Sequence, residues 1–284
     1  MNDASKEADQ EAPLLIETQG RLRILTLNRP ERLNALTPEL HHQLREAVLD
    51  ASEDNGVGAV LLTGAGRGFC AGGDIKASSE RARKTRESLE ERAESLRQHS
   101  QTTVALCKMP KITIALINGA AAGAGLTLAL ACDLRVAVSS AMLRTSYAQI
   151  ALAGDLGISY FLTRLVGPSK ARELMLFNEK ISADQAHQLG LINRIVDQPG
   201  LTGATLEWVN QLAEGPSVAF GYMKQNLLLA ETGSLEEVVE QETLQEDGDP
   251  DMNSDAAFDS DAWNNDVGLG GGAGGKMGGR EIGR

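Results

Sequence analysis

Gly68-Phe69-Cys70-Ala71-Gly72-Gly73-Asp74-Ile75 is a glycine-rich turn that follows the strand-like residues 59–63. A second turn, Asn118-Gly119-Ala120-Ala121-Ala122-Gly123-Ala124-Gly125, follows the strand-like residues 112–117 and opens the apolar run 126–131. Small residues let a ligand approach the backbone closely, and a helix start leaves N–H groups without intrahelical partners. One N–H from each turn, aimed at the same point, can hold a carbonyl oxygen as it gains negative charge.

The pattern of strand, small-residue turn and helix is not specific when it occurs alone. Glycine-rich turns also bind phosphate groups, or they simply let a helix pack against a sheet. For either turn taken separately, packing is the favoured interpretation. Only the two turns read together with the rest of the chain indicate a chemical function.

Hydrophobic periodicity predicts alternating strands and helices, which is typical of an α/β architecture with right-handed crossovers. The predicted strands are 14–18, 22–27, 57–63, 112–117 and 134–138. The predicted helices are 38–51, a long charged pattern at 79–107, 123–131, 156–165, 168–177, 183–189, 205–213 and 217–231. Thr37 and Ser182 are expected to be N-caps, and Pro38 suits the first position of its helix.

The net charge of −12 over 284 residues is concentrated at the two ends of the chain, so the body is close to neutral. The body lacks the basic footprint expected of a nucleic-acid-binding protein. No apolar run is long enough to span a membrane, and the acidic start is unlike a signal peptide. Cys70, Cys107 and Cys132 are odd in number and widely spaced, which favours a reducing cytoplasm.

The histidines and cysteines show no spacing typical of a metal site, so no metal is expected. His41 and His42 lie in a polar helical stretch, and the pattern predicts that both face solvent. At the far end, residues 246–266 are rich in Asp and Asn, and residues 268–284 are mostly glycine. Such a composition buries too little apolar surface to offset its ordering entropy, so disorder is expected there.

Four ordered blocks of the sequence resemble the crotonase (enoyl-CoA hydratase/isomerase) superfamily. They are the stretch Leu27-Asn28-Arg29-Pro30-Glu31-Arg32-Leu33-Asn34-Ala35-Leu36, the region 64–74, the turn 118–125, and the stretch Ile181-Ser182-Ala183-Asp184-Gln185-Ala186 followed by Gly190-Leu191-Ile192. The resemblance runs from about Leu14 to Leu244. Within the superfamily, the sequences of these motifs are similar to those of ring-processing enoyl-CoA isomerases of the phenylacetate pathway.

The resemblance implies an α/β fold of the crotonase/ClpP-like type, a spiral of repeated ββα units with a C-terminal helical trimerisation region. The implied domains are a disordered tail at 1–13, a crotonase core at 14–200, a helical trimerisation or cap region at 201–245, and a disordered acidic and glycine-rich tail at 246–284. It also implies a homotrimer or homohexamer. Coenzyme A enters as part of an acyl-CoA thioester substrate, with no separate cofactor.

Matched position by position, the oxyanion-hole donors implied by the resemblance are the backbone N–H groups of Gly73 and Ala124. Coenzyme A is expected along 29–35 and 71–76, with Lys224 reaching across from an adjacent subunit. The implied CoA-binding residues are Arg29, Arg32, Ala35, Ala71, Gly72, Asp74, Ile75, Lys76, Gly123 and Lys224. For each basic residue, a solvated surface charge is the alternative, and for Asp74 capping of the turn is favoured over substrate contact.

Hydratases of this superfamily use two glutamates to activate water, and this chain departs from that pattern. The first would stand at Thr127 and the second near Tyr147, whose neighbours Ser146 and Ala148 are not acids either. Asp155 remains, and it matches the acid that shuttles a proton in the ring-type isomerases, although Gly154 replaces a proline there. The alternative for Asp155 is capping of the helix that follows. Tyr147 either assists through its hydroxyl or lines the acyl pocket, and lining is favoured.

The sequence therefore predicts an enoyl-CoA isomerase that acts in fatty-acid or aromatic degradation through a thioester enolate. Asp155 would remove a proton and return it elsewhere, which moves a double bond. Two alternatives remain open at this stage. One is an enoyl-CoA hydratase, a lyase, and the other is a catalytically silent protein that binds CoA thioesters.

Overall fold

The computed structural model describes residues 12–74, 88–197, 200 and 202–248. Two of the predicted CoA-binding residues, Ile75 and Lys76, lie outside the described residues, as do most of the predicted N-terminal tail and residues 249–284 of the predicted C-terminal tail. The domain boundaries therefore stay predictions. The described part of the chain contains both glycine-rich turns in full except for Ile75.

A six-stranded sheet forms the centre of the molecule, in the order β1-β2-β3-β5-β7-β10. Its strands are β1 (Leu14–Gln19), β2 (Leu22–Leu27), β3 (Ala59–Gly64), β5 (Ile112–Ile117), β7 (Leu134–Val138) and β10 (Arg194–Val196). β1 pairs antiparallel with β2, and every other neighbouring pair is parallel. Because parallel strands share one carboxyl edge, the turns that follow β3 and β5 emerge side by side.

A second sheet of four short strands, in the order β4-β6-β8-β9, receives the chain after β3, β5 and β7. Its members are β4 (Gly68–Cys70), β6 (Ala120–Ala122), β8 (Met142–Arg144) and β9 (Ile181–Ser182). The pairs β5–β6 and β7–β8 each lead into a helix, so the unit of long strand, short strand and helix repeats along the chain. This repetition is the predicted spiral of ββα units.

The helices follow the predicted pattern with shifts at their ends. They are α1 (Pro38–Glu53), α2 (Leu89–Lys108), α3 (Ala124–Ala131), α4 (Ile158–Phe177), α5 (Ala183–Gln188), α6 (Gly203–Ala213), α7 (Ser217–Ala230) and α8 (Leu235–Gly248). Thr37 and Ser182 cap α1 and α5 through their side chains, as predicted. Gly167, at φ 75° and ψ 163°, interrupts α4 just before Pro168, which is why the sequence indicates two helices.

The two faces of the central sheet bury separate sets of side chains, because side chains alternate along a strand. On β3, Val60 and Leu62 join the main core, whereas Ala59 and Leu61 face a smaller cluster. α6 covers that smaller cluster with Val209 and Ala213. No helix in the described ranges is both long enough and apolar enough to cross a bilayer.

The prediction that His41 faces solvent is wrong, although His42 on the next position is exposed. His41 retains 7% of its surface and stacks on His99 of α2, with ring centroids 4.1 Å apart. Its buried Nδ1 has no hydrogen-bond partner among the described residues. Burial, followed by the nearby His99, lowers the pKa of His41 from 6.5 to about 3, so this imidazole is neutral in the folded protein.

We expect the free energy of unfolding to fall in mild acid because of His41. The unfolded chain binds a proton at this imidazole below pH 6.5 while the folded chain does not until about pH 3, so stability is lost across that window. At about pH 4.5 the loss amounts to about 3 kcal/mol. Urea unfolding of wild type and His41→Asn at pH 7.5 and 4.5 measures it. An unchanged pH dependence in the variant would contradict the assignment.

Candidate active site

The first turn is attached to the segment before α1 in a way that fixes the direction of one backbone N–H. Leu36 pairs with Gly73 as an isolated parallel bridge. Within it, Leu36 N–H donates to Gly72 O at 2.8 Å, and Asp74 N–H donates to Leu36 O at 2.9 Å. In a parallel bridge of this kind the partner residue points its own N–H and C=O the other way. The N–H of Gly73 is therefore directed away from Leu36, as an oxyanion donor requires.

The second turn lies directly against the first. A Cβ built on Gly72 would lie 2.9 Å from Ala122 O and 3.5 Å from Ala124 N, and Gly72 has φ +95°. Ala124 opens α3 after the N-cap Gly123, so its N–H precedes any intrahelical acceptor. The positive end of the α3 dipole lies at the same point and favours an anion. The two predicted donors thus come from turns that are in contact.

Glycine at position 125 is required by the same close approach. A Cβ there would lie 2.3 Å from Cys70 O and 2.6 Å from Cys70 Cβ. The N-terminal turn of the helix α3 therefore packs directly on β4, the strand that leads into the first glycine-rich turn. Substitution at Gly125 would separate the two turns, because real Cβ atoms do not approach backbone atoms so closely.

Two asparagines hold the first turn in shape, and the sequence analysis did not identify either as a site residue. Asn34 is fully buried, and its Nδ2 lies within 3.2 Å of the carbonyl oxygens of Ala65, Gly68 and Phe69. Asn118 Nδ2 donates to Gly64 O at 2.7 Å and Gly66 O at 2.8 Å. Both lie inside motif blocks noted in the sequence, yet contacts over such sequence separations leave no local signal.

Replacing Asn34 should destabilise the protein. Asn34 sits at φ 57°, a conformation that asparagine tolerates better than most residues, and its amide serves buried carbonyls. For Asn34→Ala we expect a loss of about 3 kcal/mol in the free energy of unfolding. Asn34→Asp keeps the size but replaces the donor by an acceptor, so it should be at least as harmful. Denaturant unfolding tests this, and a tolerated aspartate would refute it.

Arg29 and Asp74, two of the predicted CoA-binding residues, form an ion pair with each other. Arg29 Nη2 lies 3.2 Å from Asp74 Oδ2, with 20% and 16% of the side chains exposed. The same guanidinium donates to Ala35 O. Arg29 therefore holds the segment 29–35 against the first glycine-rich turn and is not a free cation for a phosphate. Arg32 and Ala71 are exposed beside this loop, and Ala35 is half-buried.

Lys224 has a different position from the one that the resemblance implies. Its side chain is 4% exposed, and its ammonium donates to Leu106 O, Lys111 O and Asp133 Oδ2 at 3.0, 3.0 and 2.8 Å. Three acceptors use all three of its N–H donors. The predicted reach to coenzyme A in an adjacent subunit is incompatible with this arrangement, in which Lys224 joins α7 to the end of α2 within its own chain.

A line of three polar side chains begins in α3 and ends at Asp155. Thr127, one turn after Ala124, has its hydroxyl 3.0 Å from Tyr147 OH. Tyr147 OH donates to Asp155 Oδ1 at 2.5 Å. Thr127 is fully buried, and Tyr147 is 3% exposed. The hydroxyls of Thr127 and Tyr147 thus connect Asp155 to the start of α3.

The side chain of Asp155 does not cap the following helix. α4 begins at Ile158 after the N-cap Gly157, without any side-chain cap, and only the backbone oxygen of Asp155 accepts from Ile158 N–H. Burial raises the pKa of the Asp155 carboxyl, and the Tyr147 hydrogen bond partly offsets the rise. Burial and then the Asp155 charge raise the pKa of Tyr147. A carboxyl with a raised pKa next to a protonated phenol is suited to accept and return a proton.

No cluster of three or more His, Cys, Asp or Glu side chains suited to a metal ion occurs within the described ranges. The arrangement instead offers two backbone donors at touching turns and one carboxyl tied to them through Tyr147 and Thr127. Such a set can stabilise negative charge on a carbonyl oxygen and move a proton nearby.

Comparison with known protein sequences agrees with this geometry. Residues 17–247 match the family described as enoyl-CoA hydratase/isomerase. The chain is 37% identical over 223 residues to a 1,2-epoxyphenylacetyl-CoA isomerase of Escherichia coli, covering 78% of this chain and 84% of the relative. It is 38% identical over 208 residues to a probable enoyl-CoA hydratase of Mycobacterium tuberculosis, covering 73% and 76%.

Solved structures show the same architecture. An enoyl-CoA hydratase from Polaromonas superposes with a TM-score of 0.75 at 32% identity, covering 90% of this chain and 96% of that one. A provisionally named enoyl-CoA hydratase from Thermobifida fusca, solved in complex with acetoacetyl-CoA, gives 0.74 at 28% identity, covering 84% and 95%. With the family match spanning most of its length, the chain belongs to the enoyl-CoA hydratase/isomerase (crotonase) superfamily.

Proposed function

We propose that this protein is an enoyl-CoA isomerase that moves a double bond through a thioester enolate. The N–H groups of Gly73 and Ala124 bind the thioester oxygen, and Asp155 shuttles the proton. The observation that carries the proposal is the hydrogen-bonded line from α3 through Thr127 and Tyr147 to Asp155. It gives the site one carboxyl where a two-glutamate hydratase has two.

The reaction balances without any added group. For a 3-enoyl thioester, the Asp155 carboxylate removes a proton from C2, and the electron pair of that bond moves into a dienolate. The negative charge rests on the thioester oxygen between the two N–H donors. The same carboxyl then returns the proton to C4, and the double bond moves from C3–C4 to C2–C3. Asp155 ends in its starting state.

The acyl-CoA substrate and its place at the site are part of the proposal. A relative solved with acetoacetyl-CoA and the contact of the two turns support a thioester at Gly73 and Ala124. The CoA moiety would lie along 29–35 and 71–76, against Arg32, Ala35, Ala71, Gly72 and Gly123. The resemblance to a 1,2-epoxyphenylacetyl-CoA isomerase favours acyl chains that contain a ring.

A homotrimer or homohexamer is proposed as the working assembly. The helices α7 and α8 expose large apolar side chains that a solitary chain would leave in water: Met223, Leu227, Leu235, Val239 and Leu244. Exposed large apolar side chains concentrated on two neighbouring helices favour an interface between proteins. Light scattering of the purified protein measures the mass directly, and a monomer at micromolar concentration would contradict the proposal.

Isotope labelling separates isomerisation from hydration. The second candidate, an enoyl-CoA hydratase, is favoured by the M. tuberculosis relative, and it predicts incorporation of labelled oxygen from water into the product. The isomerase predicts double-bond migration with deuterium uptake and no labelled oxygen. A panel of 2-enoyl, 3-enoyl and phenylacetyl-type CoA thioesters should be used. Tight binding without either reaction would favour a non-catalytic CoA-thioester-binding protein.

A further inference from the structure

The hydroxyl of Tyr147 has a fixed direction of donation. It lies 2.5 Å from Asp155 Oδ1 and 3.0 Å from Thr127 Oγ1, in a position where Tyr147 is almost fully buried. An ionised carboxylate can only accept hydrogen bonds. Because a phenol has one proton, Tyr147 must donate it to Asp155, and it is then an acceptor towards Thr127.

Thr127 is able to supply that second hydrogen bond. Its Oγ1 lies 3.2 Å from Gly123 O and 3.0 Å from Tyr147 OH. Gly123 O already accepts from the Thr127 backbone N–H at 3.0 Å. The hydroxyl proton can therefore turn to Tyr147 without leaving Gly123 O unsatisfied. The chain of donation then runs from Thr127 to Tyr147 to Asp155.

We propose that Tyr147 and Thr127 are a pair of positioning residues that hold Oδ1 of Asp155 and leave Oδ2 as the oxygen that exchanges protons with the substrate. This proposal rests on the proposed function of Asp155. Oδ2 has no hydrogen-bond partner among the described residues. Tyr147 reaches the reaction only through Asp155, which distinguishes its role from the predicted lining of an acyl pocket.

Tyr147 also biases the charge state of the carboxyl. Burial alone raises the pKa of Asp155, and the hydrogen bond from Tyr147 acts in the opposite direction. The bond therefore favours the ionised form that a base needs. Tyr147 remains a donor over the working range because burial and the Asp155 charge raise its own pKa.

The backbone next to Asp155 has an anchor that does not involve Tyr147. Leu156 adopts φ 52°, and its carbonyl oxygen accepts from Thr103 Oγ1 of α2 at 2.7 Å. Thr103 is 2% exposed. Removal of the Tyr147 hydroxyl should consequently release the carboxyl group without releasing the segment. Tyr147→Phe therefore tests positioning while the Thr103–Leu156 hydrogen bond still holds the segment.

The test compares Tyr147→Phe, Thr127→Val and the double variant, with Tyr160→Phe as the matched control at the surface. On an accepted enoyl-CoA, Tyr147→Phe should lower kcat about tenfold with KM nearly unchanged. The acid limb of its pH–rate profile should move up by about one pH unit. Thr127→Val should have a smaller effect that disappears in the Tyr147→Phe background. Thr127→Ser, which keeps the hydroxyl, should retain more of the wild-type kcat than Thr127→Val, and Tyr160→Phe should change nothing.

A direct titration of Asp155 tests the positioning proposal without any measurement of activity. With carbon-13 in the aspartate carboxyl groups, the Asp155 signal is assigned as the one that Asp155→Asn removes. Its apparent pKa should rise by about one unit in Tyr147→Phe and by less in Thr127→Val. An unshifted pKa in Tyr147→Phe overturns the positioning proposal. Full turnover in Asp155→Asn overturns the proposed function instead, so the two failures are distinguishable.

Discussion

Asp155→Asn should abolish double-bond migration while leaving the affinity for CoA thioesters nearly unchanged. An asparagine keeps the shape and still accepts the Tyr147 hydrogen bond, but it cannot take up a proton from carbon. General base catalysis typically contributes about a hundredfold to ten-thousandfold in rate, and we expect turnover to fall by that amount. Stopped-flow assay of migration and calorimetric titration of a thioester measure the two quantities separately.

Asp50→Asn is a suitable control for this experiment. Asp50 is an exposed carboxylate of α1 that pairs with Arg23, and it belongs to neither glycine-rich turn. Its replacement should leave turnover unchanged. The wild-type enzyme should lose activity as the pH falls through the raised pKa of Asp155, because the protonated carboxyl is no longer a base. An Asp155→Asn enzyme within threefold or so of wild type would exclude the shuttle.

Gly72→Ala should cost both stability and activity. Gly72 has φ +95°, and the new Cβ would lie 2.9 Å from Ala122 O and 3.5 Å from Ala124 N. Relief of this contact must move the turn that carries Gly73 away from α3, so one oxyanion donor is misplaced. Loss of one such donor typically costs about a hundredfold or more in kcat, and the backbone strain adds about 1–2 kcal/mol of destabilisation.

Gly73→Ala provides the comparison for stability, because a Cβ on Gly73 meets nothing within 4 Å. Its melting temperature should match that of wild type, whereas Gly72→Ala should melt several degrees lower. If Gly72→Ala retained both the wild-type melting temperature and the wild-type kcat, the contact between the two turns would not define the site.

The sequence predicts the elements well where local rules decide them. The strand 112–117 and the caps Thr37 and Ser182 coincide with the structure, because hydrophobic runs and capping residues act over a few positions. The proposed oxyanion donors, Gly73 and Ala124, are assigned from the motif sequences and their small residues. The contact between Gly72 and Ala124 requires the fold, since the parallel pairing of β3 and β5 brings the turns together.

The features that the sequence misplaces depend on burial or on distant partners. His41 looks like a surface residue until α2 covers it with His99. Lys224 looks like a ligand-binding cation until Asp133 and two carbonyls are found around it. The link from Thr127 through Tyr147 to Asp155 joins a helix to a later turn. No periodicity encodes such a link, because each hydroxyl alone is an ordinary buried polar group.

Deuterium exchange from heavy water into a panel of CoA thioesters, with wild type and Asp155→Asn compared, tests the central claim most directly. The panel should contain cis and trans 2-enoyl, 3-enoyl and phenylacetyl-type chains. We predict exchange at the carbon alpha or vinylogous to the thioester in the wild-type enzyme, with its loss in Asp155→Asn. Tight thioester binding without exchange on any substrate, or exchange that persists undiminished in Asp155→Asn, would contradict the account.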